Sequence, residues 1–209
     1  MIRIIVVTII SFTIGGCNLL EYPFYVLFGR SHTKVKAEYT GLENQKVAVI
    51  IVGQSAIDFE EPYARMDLAL ATEQALTEHV KNIELADQEE IQNFQRSRFD
   101  WYSLPVADII EQFQVQRLLY VELIQFTIRE PESVNLLRGH IWAQLRVYQK
   151  ESDTPDIPVY ETETEVTFPE QAPSPYSEAA RFNIRQQSIQ LFAREVARKF
   201  HDHRVETDR

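Results

Sequence analysis

Apolar residues change their spacing along the chain, and these changes predict alternating strands and helices in the first half. The run 46–53 (KVAVIIVG) is almost continuously aliphatic, as is typical of a strand covered on both faces. Residues 63–81 then place apolar side chains three or four positions apart, which predicts a helix with one buried face. A short strand over 82–87 follows, and Asp87 is predicted to cap a helix over 88–99.

The second half of the chain is predicted to form three antiparallel strands between a short helix and a long one. Apolar and polar residues alternate in these strands, which predicts one face on the core and one toward water. The helices are predicted over 106–114 and 177–201, and the strands over 117–128, 139–149 and 159–168. The predicted fold class is therefore α/β (α+β). It has a mixed sheet of about five strands, an antiparallel C-terminal meander and packed helices that include a long C-terminal helix.

The beginning of the chain has the pattern of a secretory signal rather than of a folded element. Arg3 precedes an uncharged run of eleven residues, 4–14. Ile14, Gly15 and Gly16 then stand directly before Cys17, the only cysteine. This arrangement resembles a bacterial lipobox, in which the cysteine is alkylated by diacylglycerol and the new amino terminus is acylated. It implies a signal peptide over 1–16, a membrane anchor on Cys17, a tether over 17–45 and one domain over 46–209.

Two other interpretations of Cys17 stay open. An uncleaved anchor could extend over 4–28, although Glu21 and Pro23 interrupt that segment, and a structural buried cysteine is the second alternative. The apolar residues 19–28 fit either the membrane interface or a position packed on the domain. Asn18 follows the cysteine, and by resemblance to enteric lipoproteins the absence of aspartate there favours the outer membrane over the inner one.

The net charge of the chain indicates which classes of partner it is not expected to bind. The 209 residues include 21 basic and 31 acidic side chains, a net charge of −10. A chain with this balance is not expected to bind nucleic acid or to dock electrostatically on anionic lipid. A single cysteine also forms no internal disulfide.

Candidate catalytic and metal-binding motifs are weak throughout. Gly53 follows a buried strand but lacks the further glycines of a nucleotide-binding loop, and the chain contains no Gly-x-Ser-x-Gly. The HDHR segment 201–204 is interpreted as a polar tail rather than a zinc site. Glu161, Glu163 and Glu165 alternate on one strand and are interpreted as a solvated face, which Arg138 or Arg146 could pair. The sequence thus predicts no catalytic residues, no metal and no cofactor.

Aromatic residues supply the best candidates for contact with a partner. Phe99, Trp101 and Tyr102 cluster in the predicted loop FDWYSLP, and Trp142 lies on the outward face of its strand. Exposed aromatic residues are frequent at interaction hot spots. The alternative interpretation is that the loop folds its aromatic residues onto the core.

Residues 46–168 resemble the α/β domain of several bacterial envelope proteins. KVAVIIVG, the helix ARMDLALATEQALTEHV, NIELADQEEIQNFQ and VQRLLYVELIQF follow the order seen in the TolB amino-terminal domain, the curli-secretion lipoprotein and the penicillin-binding-protein activator lipoproteins. The chain departs from their Gly-Ala-Asp triplet, since 114–116 read Gln-Val-Gln. AEYTGL, LLRGHI and KFHDH also resemble uncharacterised planctomycete-type lipoproteins.

These observations predict a non-enzymatic, lipid-anchored protein of the cell envelope that faces the periplasm. It would act as a protein-interaction or assembly module, bind another envelope protein and be compatible with a homo-oligomer. One alternative is an accessory subunit of an envelope transport or secretion complex. Another is a small-ligand binder or enzyme at the carboxyl end of the first strand, around Gly53, Gln54 and Asp58.

Overall fold

The computed structural model describes residues 31–207. These residues divide into a smaller unit, 31–36 with 202–207, and a larger unit, Ala37–His201. The 3₁₀ turn Trp101–Ser103 lies between the third and fourth helices. The helices and strands are β1 (Ser31–Val35), β2 (Lys46–Gly53), α1 (Ser55–Glu60), α2 (Ala64–His79), β3 (Glu84–Leu85), α3 (Gln88–Ser97), α4 (Val106–Gln112), β4 (Arg117–Arg129), β5 (Leu136–Gln149), β6 (Tyr160–Phe168), β7 (Ser174–Pro175), α5 (Glu178–Arg198) and β8 (His203–Thr207).

The larger unit is built on a mixed sheet with the strand order β3-β2-β4-β5-β6, and β7 pairs with β5. Strand β2 runs parallel to both β3 and β4. Strands β4, β5 and β6 form an antiparallel meander. The predicted fold class, with its mixed sheet, C-terminal meander and long last helix, is confirmed.

One face of the sheet packs against α2 and α5. The alternating residues Ile141, Ala143, Leu145 and Val147 of β5 are fully buried in this cluster, as the sequence pattern indicates. Gly139 lets helix α5 come close, because a Cβ at this position would lie 1.9 Å from Ser188 Oγ. A larger residue here would push the helix away from the sheet.

The opposite face of the sheet is covered only in part. Residues of β2 and β4 on this face pack under α3, the 3₁₀ turn and α4 in a second cluster, which includes Ile50, Ile91, Ile110 and Leu118. On β6, the glutamates of the same face are exposed. The sheet therefore has a helix-covered part and a polar part on this side.

The predicted tether over 17–45 requires correction in its second part. Residues 31–35 form β1, which pairs antiparallel with β8, from Ser31 opposite Thr207 to Val35 opposite His203. Leu42 is fully buried, and the larger unit begins at Ala37 rather than at 46. The polar composition of this segment gave no indication of a strand. The strand is held by backbone hydrogen bonds to a distant segment, and such bonds leave little signal in the sequence. Of the domain predicted over 46–209, residues 202–207 likewise belong to the smaller unit.

The segment after Ala37 also caps the C-terminal end of α5. The backbone N–H groups of Glu38 and Tyr39 donate to the carbonyl oxygen of Lys199 over 2.8 and 3.0 Å. Tyr39 stacks on Tyr160 with ring centroids 5.2 Å apart. These bonds satisfy a helix-terminal carbonyl that would otherwise lack a partner. Helix α5 accordingly ends at Arg198, three residues before the predicted end.

Candidate interaction surface

The loop between α3 and α4 is anchored by Trp101, which is only 6% exposed and packs in the second cluster. Trp101 is therefore a core residue and not the partner contact that the sequence suggested. The backbone N–H of Trp101 donates to Arg98 O, and Leu104 N–H donates to Trp101 O, each over 3.2 Å. Ser103 Oγ donates to Asp100 O over 2.7 Å. The loop is thus fixed by one buried side chain and by local hydrogen bonds.

The two other aromatic residues of this loop point outward. Phe99 is 90% exposed and Tyr102 is 70% exposed. The Tyr102 ring meets Trp101 edge-on, with 6.4 Å between the ring centroids. Burial of an exposed aromatic side chain contributes favourably to binding, and a fixed loop loses little conformational entropy when a partner docks. Phe99 and Tyr102 thus remain candidates for contact with a partner.

An open groove of about 390 Å³ adjoins this loop. Half-buried Phe94 and Leu104 supply its apolar part. The polar part comes from the three charged side chains and the one amide side chain of the lining. Its lining consists of Phe94, Arg98, Leu104, Asp108, Glu111 and Gln112.

The charge of this groove is negative. Arg98 Nε lies 3.2 Å from Asp100 Oδ1, so this arginine is already paired within the loop. Asp108 and Glu111 stand on α4 with no ion-pair partner among residues 31–207. The backbone N–H of Val106, at the start of α4, donates to Asp156 Oδ1 over 2.8 Å. Asp156 thus fixes the start of α4, the helix that carries the two unpaired carboxylates.

Trp142 lies on the polar part of the sheet and is half-buried. Its Nε1 donates to Glu163 Oε2 over 3.2 Å. His140 Nε2 lies 2.7 Å from Glu165 Oε1 on the same pair of strands. Because its indole N–H already has an acceptor and its ring lies among polar neighbours, Trp142 is a weaker contact candidate than Phe99.

Arg146 joins three strands across this polar part. It donates from Nε to Glu161 Oε1 and from Nη1 to Glu122 Oε2, each over 2.9 Å. The predicted pairing of Arg146 with the glutamates is therefore confirmed, whereas Arg138 pairs with Glu130, directly after β4, instead. The three glutamates of β6 serve as partners of β5 side chains, on a face exposed to water.

Apolar side chains lie beside Gly53 at the carboxyl end of β2. A Cβ at Gly53 would meet Leu123 Cβ at 3.5 Å and Ile57 Cδ1 at 3.7 Å. Asp58 is engaged in an ion pair with Arg65 Nε at 2.8 Å. A small-ligand site around Gly53, Gln54 and Asp58 stays a prediction.

Glu61 is a buried carboxylate that sequence reasoning missed. It is 8% exposed and accepts from Arg181 Nη2 over 2.6 Å and from Arg185 Nε over 2.9 Å. Arg185 also reaches Asp67 Oδ2 at 2.8 Å through Nη1. The network ties the connection between α1 and α2 to α5. The only sequence signal was a pair of arginines four residues apart on a predicted helix.

Gln88 is a second residue whose role the sequence did not indicate. Its side chain continues the hydrogen bonding along the edge of the sheet. Ala86 N–H donates to Val47 O over 2.9 Å, and Gln88 Nε2 donates to Val49 O over 2.7 Å. The side chain thus takes the place of a strand residue after β3 ends. Its Nε2 also donates to Glu73 Oε1 over 2.8 Å. Burial raises the pKa of Glu73 to about 7, the nearby Asp87 charge adds to this, and the Gln88 hydrogen bond opposes it.

The predicted lipidation residue Cys17 and the cleavage signal Ile14, Gly15 and Gly16 lie outside the described residues. Within residues 31–207, no helix has both the length and the apolar character needed to cross a bilayer. In the same part of the chain, no three His, Cys, Asp or Glu side chains are grouped to hold a metal ion.

Comparisons with known proteins connect the fold to solved structures. No protein-family model and no curated protein sequence matches the chain. Protein XCC0632 from Xanthomonas campestris, of family DUF330, is similar with a TM-score of 0.50 and 14% identity, over 76% of this chain and 84% of that one. This likeness shows a shared fold.

Two further solved structures align with lower scores. The PelC dodecamer from Paraburkholderia phytofirmans gives a TM-score of 0.46 at 8% identity, over 80% of this chain and 96% of that one. Lipoprotein GNA1162 from Neisseria meningitidis gives 0.44 at 10% identity, over 71% and 97%. The TolB-like and planctomycete-type resemblances stay predictions.

Proposed function

We propose that this protein is a lipid-anchored component of the bacterial cell envelope that acts as a non-enzymatic interaction module. The observation that carries the interaction role is the outward position of Phe99 and Tyr102 on a loop that Trp101 fixes. Exposed aromatic residues on a rigid support are favourable contacts for a protein partner.

The anchor rests on the leader sequence. An uncharged run of eleven residues ends in Ile14-Gly15-Gly16-Cys17, which matches the lipobox pattern. Acyl chains on Cys17 would hold the protein firmly, since each buried methylene contributes about 0.8 kcal/mol. The domain would then face the periplasm from the outer membrane.

Cys17→Ala tests the anchor in the native host or in a bacterial host. We expect the substitution to release the protein from the membrane fraction, or to leave the unprocessed precursor, and to abolish incorporation of radiolabelled palmitate. Globomycin is expected to accumulate the precursor of the natural chain. Ser11→Ala is the matched control within the leader and is expected to change neither. Unchanged fractionation and labelling in Cys17→Ala would refute the anchor.

Photo-crosslinking tests the interaction surface. A photoreactive phenylalanine analogue in place of Phe99 or Tyr102 is expected to give a discrete higher-mass product in intact cells. Phe182, 67% exposed on α5, is the control position. Equal product patterns from all three positions, or none, would argue against a surface at the α3–α4 loop. Mass spectrometry of the product distinguishes another envelope protein from a second copy of this chain.

A further inference from the structure

We propose that the groove between α3 and α4 binds a basic peptide segment of a partner protein, with an aromatic side chain of that segment seated against Phe99 and Tyr102. This inference rests on the proposed function, because it specifies the chemistry of the partner at the same surface. It follows from the charge of the groove, from its size and from the fixed loop beside it.

The charge of the groove favours a cationic occupant. Asp108 and Glu111 face the groove without an ion-pair partner in the described part of the chain, while Arg98 is paired with Asp100. A lysine or arginine that approaches these carboxylates gains attraction, and an acidic segment would meet repulsion. Gln112 adds an amide that can bond to a peptide backbone.

The size and surroundings of the groove favour a short segment with one large side chain. A volume of about 390 Å³ lies near the lower end of the range of small-molecule pockets, about 300 to 1,000 Å³. Phe94 and Leu104 give it an apolar part, and exposed Phe99 and Tyr102 lie in the chain between the lining residues Arg98 and Leu104. Aromatic rings pair favourably with one another and with the cations of a basic segment.

The chain's own residues 19–28 fit this groove poorly. The segment LLEYPFYVLF carries aromatic side chains, but its one charged residue is Glu21 and it has no lysine or arginine. Its charge has the same sign as the unpaired carboxylates of α4. A separate basic segment is the better match.

Binding to labelled peptides tests the inference on the full chain in detergent. The probe is a fluorescein-labelled Lys-Lys-Trp-Lys-Lys amide, followed by fluorescence anisotropy at low salt. The same peptide with alanine for tryptophan and a Glu-Glu-Trp-Glu-Glu amide are the comparison probes. We expect the basic tryptophan peptide to bind best, and its affinity to fall as salt screens the carboxylates.

Variants locate the binding. The double variant Asp108→Asn with Glu111→Gln is expected to weaken binding of the basic peptide about tenfold, as is Phe99→Ala with Tyr102→Ala. Glu132→Gln with Glu170→Gln removes the same charge from exposed turn positions and is expected to change the affinity less than about twofold. Circular dichroism of each variant checks that the fold is retained.

Equal binding of the acidic and basic peptides would overturn the inference, as would equal weakening by the groove and control variants. Absence of binding to all three peptides would overturn it as well. If the crosslinks from Phe99 persist in cells despite such results, the proposed interaction surface stands and only the basic-segment specificity fails. Loss of the crosslinks with specific peptide binding retained would instead count against the proposed function.

Discussion

Arg185 donates from Nε to Glu61 Oε2 over 2.9 Å, and the exposed fractions of the two side chains are only 14% and 11%. Their sequence separation is 124 residues, so this contact ties the beginning of the larger unit to its last helix. The guanidinium also lies 6.0 Å from the centroid of the Phe126 ring. The stability that such a buried ion pair gives is lost when either of its members is removed.

Replacing Arg185 with leucine is expected to lower the free energy of unfolding by about 1 to 3 kcal/mol, because buried Glu61 would keep only Arg181 as a partner and Asp67 would lose its ion pair. Denaturant unfolding of the full chain measures this loss. Arg198→Leu breaks the more exposed pair with Glu195 on the same helix and is expected to cost less than about 1 kcal/mol. Equal losses in the two variants would contradict the structural role of the Glu61–Arg185 pair.

Gly139→Ala is expected to destabilise the protein by about 1 to 3 kcal/mol, since the added Cβ would lie 1.9 Å from Ser188 Oγ and 2.9 Å from Ser188 Cβ. Thermal unfolding measures the change. Gly53→Ala is the matched control in a strand, because its Cβ would meet the nearest atom at an ordinary 3.5 Å. The control is expected to be neutral or slightly stabilising. A tolerant Gly139→Ala would show that helix α5 does not pack this closely.

The stability of the protein is expected to depend on pH through Glu73. Its pKa in the folded protein is about 7, against an ordinary value of 4.5. The folded state therefore binds this proton more tightly than the unfolded state does. The resulting contribution to stability is fully present below about pH 4.5 and is lost as the pH rises through about 7.

Glu73→Gln removes this dependence. At pH 8 we expect the variant to be more stable than the natural protein by about 1 to 2 kcal/mol, after allowance for partial solvent exposure. The difference should shrink toward pH 4.5, and denaturant titrations across this range measure it. Glu78→Gln, an exposed position on the same helix, is the control. A constant difference between Glu73→Gln and the natural protein at all pH values would contradict the prediction.

Asp156 is expected to control the order of α4. Pro105 precedes this helix and offers no side-chain cap, so Asp156 accepts the hydrogen bond from Val106 N–H at a distance of 50 residues in sequence. Asp156→Ala is expected to cost about 1 kcal/mol and to speed hydrogen exchange in the first turn of α4. Asp153→Ala, an exposed residue in the same loop, is expected to leave that exchange unchanged.

The sequence predicted the elements whose apolar spacing is regular. β5 and β6 alternate over many residues, and Asp87 accepts from Glu89 N–H over 2.7 Å as its position before α3 indicated. Ser177 likewise accepts from Ala180 N–H at the start of α5. Local periodicity and capping chemistry depend on neighbours in sequence, so one sequence is enough to recognise them.

The features that the sequence did not predict depend on pairing between distant residues. Nothing in Ser31–Val35 indicates that it pairs with His203–Thr207. Composition likewise does not distinguish buried Trp101 from exposed Phe99, two positions earlier, because only the packing of Trp101 in the second cluster separates them. In the sequence Glu61 has the features of a surface residue, whereas in the structure two arginines of α5 donate hydrogen bonds to it.

The pairing of β1 with β8 has a mechanical consequence. Ser31 lies opposite Thr207, so the chain enters and leaves this ribbon at the same end. A pull that separates the two ends would load the hydrogen bonds between β1 and β8 one after another, as a zipper opens, rather than all at once. If Cys17 holds the chain to a membrane, tension applied to the C-terminus would open this ribbon at low force.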